Sequence, residues 1–211
     1  NGMLGLEKQI QDWISKEMPH IEVYGASPNL MFAHIGQRNV NSMVGGTMLA
    51  LVLISFILII ALRSWKFGIL SLAPNLIPAG LAFGIWGLAV GEIGMSLATA
   101  AGMTLGIVVD DTVHFLSKYL RARREKGYSP EQAVRYAFHT VGVALWVTTL
   151  VLVCGFGVLA LSTFKMNADM GIMTAMTIAI ALIVDFLFLP TLLMKVEGEE
   201  EENKSESTQT A

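Results

Sequence analysis

The sequence predicts an all-α polytopic membrane protein: five transmembrane helices preceded by a short α/β segment outside the membrane. Composition and the placement of its apolar residues carry this reading. Only 15% of the 211 residues are charged against 54% hydrophobic, with a mean hydropathy of +0.59, whereas a soluble domain has about a quarter charged. The apolar residues fall in blocks of about twenty, the length a helix needs to cross roughly 30 Å of hydrocarbon. This excludes a disordered chain and argues against a soluble globular enzyme. Cys154, the single cysteine, lies inside an apolar block, so neither a disulfide framework nor a cysteine metal site is available. The net charge of −3 comes largely from one acidic tail and carries no nucleic-acid signal.

The chain opens at Asn1 with no signal peptide before its first polar stretch, and reads as a fragment preceded by further sequence. Residues 1–41 are polar. Leu6, Ile10, Trp13 and Ile14 share one face of a short amphipathic helix, closed by Pro19. Ile21 to Tyr24 alternates as a strand would, and Ser27 with Pro28 reads as the cap and first position of a second helix. A piece this short buries no core of its own, so it is read as the end of a larger extracytoplasmic domain.

Five spans follow, at 44–62, 69–90, 95–116, 141–161 and 171–194, within a membrane domain at 42–195. A hairpin around Gly91 and Glu92 joins the second and third. Arg63 and Lys66 lie between the first two spans. Lys118, Arg121, Arg123, Arg124, Lys126 and Arg135 lie between the third and fourth, and Lys195 follows the fifth. The opposite side offers only Arg38 and Lys165 near a membrane end. By the positive-inside rule residues 1–41 are outside, periplasmic in a Gram-negative cell, and the C-terminus is cytoplasmic. The loop between spans three and four carries a helix at about 129–139. Ser129 caps it, Pro130 takes its first position and Gln132 completes a capping box. Ala133, Val134, Tyr136, Ala137 and Phe138 give it an apolar side, which places it along the cytoplasmic membrane surface. Residues 196–211, opening on an acidic run from Glu197, read as a solvated, disordered tail.

The third span holds the candidate chemistry. Asp110 and Asp111 lie about 9 Å inside Leu116 at the helical rise. Each charged aspartate costs roughly 2.5–3.5 kcal/mol near a helix centre, so the acids must meet protein or water rather than lipid. Gly102, Gly106, Asp110, His114 and Lys118 recur every fourth residue and form one ridge; the two glycines allow another helix to come close. Neighbouring carboxyls in a low dielectric resist ionising together, and an acid that takes up and releases a proton near neutral pH is a proton carrier. Asp185 in the fifth span is a further intramembrane acid, read either as functional or as capping a helix or pairing with the basic cluster. Thr148 and Thr149 in the fourth span lie at a depth comparable to Asp110, although threonines in spans usually bond their own backbone. His20, His34 and His139 make no metal-ligand spacing, and there is no glycine-rich phosphate loop. No cofactor, metal or catalytic residue is expected.

Pro74-Asn75-Leu76-Ile77-Pro78 entering a span, then Gly106 through Asp110-Asp111-Thr112 to His114-Phe115, resembles the resistance-nodulation-division (RND) superfamily. Ser129 to Ala137, Gly155-Phe156-Gly157 to Ser162, and Asp185 through Leu189-Pro190 extend the match in order. Within the superfamily it looks most like MMPL-type exporters, whose five-helix unit is also called a sterol-sensing domain. The resemblance implies a multi-pass inner-membrane exporter driven by proton antiport, built from two homologous halves, with this chain ending the second. Asp110 and Asp111 would match the proton-relay acids and Thr148 or Thr149 a relay hydroxyl. The missing N-terminal half, a lipid or other hydrophobic substrate and the membrane are the implied partners, and a homo-oligomer is compatible; nucleic acid is not. A lipid or sterol sensor without transport and a protein-export subunit are the alternatives. An intramembrane aspartyl protease joining Asp110 to Asp185 lacks any Gly-x-Gly-Asp motif.

Overall fold

The computed structural model describes residues 2–21, 23–91 and 95–209. Its elements are all helical: α1 (Gly2–Glu17), α2 (Pro28–Leu62), α3 (Trp65–Leu70), α4 (Leu72–Ala89), α5 (Met95–Lys126), α6 (Pro130–Ala137), a π-helical turn (Phe138–Gly142), α7 (Val143–Leu159) and α8 (Lys165–Gln209). Contacts divide the chain into two units, Asn1–Gly46 and Thr47–Ala211.

In the first unit α1 buries none of its residues, and Glu7 reaches His34 on the opening turns of α2 at 2.7 Å. The Ser27 hydroxyl accepts from the Leu30 amide at 3.1 Å, the cap its sequence predicts. The α/β expectation for this segment is corrected: Ile21, Val23 and Tyr24 are irregular, Glu22 lies outside the described residues, and no strand forms among the described residues. A strand needs a neighbouring strand to complete its ladder, and the described residues supply none.

In the second unit the helices are set by identifiable breakers and caps. Gly91, at φ +77°, ends α4, and Gly127, at φ +63°, ends α5; both adopt the left-handed geometry that glycine takes without steric cost. Gly91 thus starts the turn expected between the second and third spans, whereas Glu92 lies outside the described residues. The capping box at Ser129 forms in both directions: the Gln132 amide donates to Ser129 Oγ at 3.3 Å and the Ser129 amide donates to Gln132 Oε1 at 3.2 Å.

Three segments differ from the sequence reading. First, α5 does not stop near Leu116 but runs to Lys126, because Lys, Arg, Glu and Ala favour helix and no breaker intervenes before Gly127. Second, the apolar side of α6 packs on this extension: Ala133, Val134 and Ala137 are buried in one cluster with Leu116, Tyr119 and Leu120. Helical geometry then continues through the π-turn into α7, with Phe138 set edge-on between Phe115 (5.0 Å) and Phe186 (5.2 Å). Third, the backbone of α8 remains helical through Gln209, past the expected end of the fifth span at 194 and into the stretch from 196 that reads as disordered. Its first acid is not solvated. Glu197 is buried, accepts from the Tyr119 hydroxyl at 2.7 Å, and pairs with Arg123 at 2.5 Å. Close packing also ties α8 to α7: a Cβ on Gly171 would stand 2.7 Å from the Phe156 carbonyl oxygen.

Among the described residues four helices are long and apolar enough to cross a membrane: Pro28–Leu62, Trp65–Ala89, Pro130–Leu159 and Lys165–Gly198. Their outer faces carry exposed Val52, Phe56 and Ile60 on α2, Trp146 and Leu150 on α7, and Leu187 on α8. A soluble protein would bury such a surface, while hydrocarbon is its natural solvent. This is a membrane protein. Helix α5 is not among the four, since its acids and its basic end dilute its apolar stretch.

Glu197→Ala removes the carboxylate shared by Tyr119 and Arg123 and should lower unfolding stability in detergent by about 1–3 kcal/mol. Glu131→Ala removes an exposed pair with Arg135 one turn away and should cost less than about 0.5 kcal/mol. Equal effects from the two substitutions would show that the end of α8 is not held by this contact.

Candidate functional site: three polar residues on α5

Helix α5 packs against α4, α6, α8 and the π-turn, so side chains around its circumference meet different neighbours. Asp110, Asp111 and Thr112 are consecutive and therefore point about 100° apart in turn. The structure gives each a different environment.

Asp110 points outward. Its side chain is 72% exposed, and its carboxylate lies 3.6 Å from Nε2 of His114, also exposed, one turn along the helix. Gly102 and Gly106 on the same ridge are exposed as well. A Cβ on Gly106 would meet nothing within 4 Å, and one on Gly102 only the Thr47 hydroxyl at 4.0 Å. The ridge predicted for close helix packing is thus left open by the described helices of this chain. It forms one wall of a groove of about 910 Å³, with Asp110, Asp111 and His114 on one side and Ala144, Val147, Thr148 and Val151 of α7 on the other.

Asp111 is half-buried and turns toward α7, where the Thr149 hydroxyl donates to Oδ2 at 3.4 Å. Thr149 is buried, 3% exposed. Thr148 is exposed on the groove and donates to the Ala144 and Leu145 carbonyls of its own helix, both at 3.0 Å. Of the two threonines the sequence could not separate, Thr149 is the one the fold brings to an acid.

Thr112 faces inward and is fully buried. Its Oγ1 lies 2.9 Å from Asn75 Oδ1 on α4 and 3.0 Å from Asp185 Oδ1 on α8. Asn75 and Asp185 are each 1% exposed. Asp185 therefore neither caps a helix nor pairs with the basic cluster; it joins a polar junction of three helices. Asp110 and Asp185, the pair a protease would need, are not brought together, since one lines the open groove and the other is buried beside Thr112. Sequence reasoning did not single out Asn75 and Thr112. A polar amide between Pro74 and Pro78 in an apolar span was the available signal for the first. Nothing in the sequence said which acid Thr112 would meet.

No group of three or more histidine, cysteine, aspartate or glutamate side chains converges among the described residues. Chemically, the arrangement offers two carboxyls on an accessible groove, one of them held by a hydroxyl of the next helix, and a third carboxyl sealed in the interior.

Similarity to known proteins agrees with this membrane architecture. The sequence matches the MMPL family over residues 7–209. It is 32% identical over 148 residues to the membrane protein MJ1562 of Methanocaldococcus jannaschii. The alignment covers 70% of this chain but 38% of that relative, so the chain spans well under half of the relative's length. With the family matched across nearly all of the sequence, the chain belongs to the MMPL family.

Proposed function

We propose that this chain is the C-terminal transmembrane part of a proton-motive-force-driven RND/MMPL-type exporter of lipids or other hydrophobic compounds. The observation that supports it most is the pair Asp110 and Asp111 on an open groove, with Thr149 of the following helix holding Asp111. In this reading α5 is the fifth membrane span, added to the four more apolar ones. Residues 1–41 belong to the extracytoplasmic side and the C-terminus lies in the cytoplasm, in the cell's inner membrane. A helix from the other half of the transporter packs on the Gly102-Gly106-Asp110 ridge and closes the groove, so the acids meet protein rather than lipid.

The mechanism follows from the cost of charge in that site. With Asp110 and Asp111 both ionised, the groove favours water and separated helices; protonation removes the charge and favours closure. The Thr149 hydroxyl donates to ionised Asp111 and can accept from the protonated acid, so it serves both states. Alternation between them, driven by the proton gradient, moves the helices and with them the extracytoplasmic domain that handles substrate.

Asparagine keeps the shape of aspartate but cannot change charge. In the complete transporter, Asp110→Asn and Asp111→Asn should each abolish proton-coupled export while leaving membrane levels intact or raised, because the part due to charge of an insertion cost of about 2.5–3.5 kcal/mol per acid is relieved. Thr149→Val should slow export severalfold and Thr148→Val should have little effect. Export assays normalised to inserted protein decide the matter: full activity of the Asp110→Asn, Asp111→Asn double variant would end the relay reading, whereas lipid binding without any export by the unaltered protein would favour a sensor.

Orientation is tested separately. A cysteine introduced by Ser205→Cys should react with a membrane-impermeant maleimide only after the cells are opened. Labelling of intact cells would reverse the topology.

A further inference from the structure

The relay uses the groove and leaves Asp185 unexplained. Thr112 Oγ1 stands within hydrogen-bonding distance of two side-chain oxygens, Asn75 Oδ1 at 2.9 Å and Asp185 Oδ1 at 3.0 Å. A hydroxyl carries one proton, and each of these two contacts needs one. The Val108 carbonyl, 3.3 Å away on the same helix, is a third acceptor for that proton; if Thr112 donates there, Asp185 must itself donate to Thr112 and is neutral, and otherwise two arrangements supply the second proton. Either Asp185 is a neutral carboxylic acid whose O–H donates to Thr112, with Thr112 donating onward to Asn75, or the Asn75 amide is turned, so that its NH₂ donates to Thr112 and Thr112 donates to an ionised Asp185.

The remaining atoms decide between them. Asp185 Oδ2 and Asn75 Nδ2 are buried without a hydrogen-bond partner, and Asp185 is 1% exposed. The turned amide would leave a full negative charge in the bundle interior with one neutral donor. Such a charge is retained only when paired and fully hydrogen-bonded. No lysine, arginine or histidine forms an ion pair with Asp185 among the described residues. The neutral acid leaves only uncharged groups unsatisfied.

Asp185 is surrounded by few ionisable groups. Helix α4 presents Asn75 and has no ionisable side chain, and α7 has only the exposed Cys154. Helix α6 carries an exposed Glu131–Arg135 pair and Tyr136, and the π-turn an exposed His139. Helix α5 supplies Asp111, which faces Thr149 of α7, while Asp110 and His114 are exposed on the groove.

We propose that Asp185 is a proton-binding site in the bundle interior, and that its bound proton joins α4, α5 and α8 through the chain Asp185–Thr112–Asn75. Release breaks the Asp185 O–H bond, passes the proton to water and leaves a carboxylate that the closed packing cannot accommodate, so ionisation and parting of the three helices are tied together. The protonated state stands apart from the export reading; only its use in a transport cycle rests on that reading.

Infrared spectra of the full chain in lipid, at neutral pH, test the site without any transport assay. A protonated-carboxyl C=O band should vanish in Asp185→Asn, persist in the Asp110→Asn, Asp111→Asn double variant, and shift in Thr112→Val, where the acid loses its acceptor. An Asp185→Asn spectrum identical to the parent's overturns the proposal. The stability profile is a second reading. A carboxyl that holds its proton in the folded state but gives it up readily when unfolded makes stability fall as pH rises, and Asp185→Asn should remove that part of the fall with little loss at low pH. Asp185→Asn that unfolds the protein equally at every pH, or leaves the pH profile unchanged, contradicts the proposal.

Discussion

A carboxyl or hydroxyl within an apolar helix has to be met by another polar group, because hydrocarbon offers it nothing. Helix α5 concentrates that constraint in three adjacent residues, and much of the inner architecture answers it. Thr112 is met by Asn75 of α4 and Asp185 of α8, and Asp111 by Thr149 of α7. These contacts draw polar groups from three other helices toward one level of α5. Asp110, the third of the set, meets only exposed His114 one turn away among the described residues. The position where this chain leaves its polar requirement unmet is also where the glycine ridge lies open.

The packing away from this level is apolar and anchored at both ends. Trp86, Leu97, Ala100 and Met173 form one cluster. Phe115, Leu116, Tyr119, Leu189 and Leu193 form the other, which extends into α6. Past it, the Tyr119–Glu197–Arg123 contact holds the continuation of α8 against the extension of α5. Gly171 allows α8 to press on the end of α7.

Much of this organisation is visible in the residues themselves. Runs of apolar residues mark the four most hydrophobic helices, and Ser129, Pro130 and Gln132 mark a helix start with its reciprocal cap. Asp110 and Asp111 stand out because their burial is costly. What the sequence conceals is the meeting of side chains from distant segments. Asn75 and Thr112 are 37 positions apart, and Thr112 and Asp185 73; no local pattern registers either contact. The length of α5 was hidden because a charged stretch after a span reads equally as a solvated loop or as a helix with good formers. The same ambiguity hid the helical course of the acidic C-terminal stretch. The alternating residues near Tyr24 carry strand character, but no strand forms among the described residues, and propensity alone does not make a sheet.

On the proposed function, the open ridge of α5 is the seat of a helix from outside this chain. A density map of the complete protein in a lipid nanodisc tests it most directly. The account predicts a helix backbone lying along Gly102, Gly106 and Asp110, with a polar side chain reaching Asp110. Lipid acyl chains filling that groove, with Asp110 facing them, would contradict it.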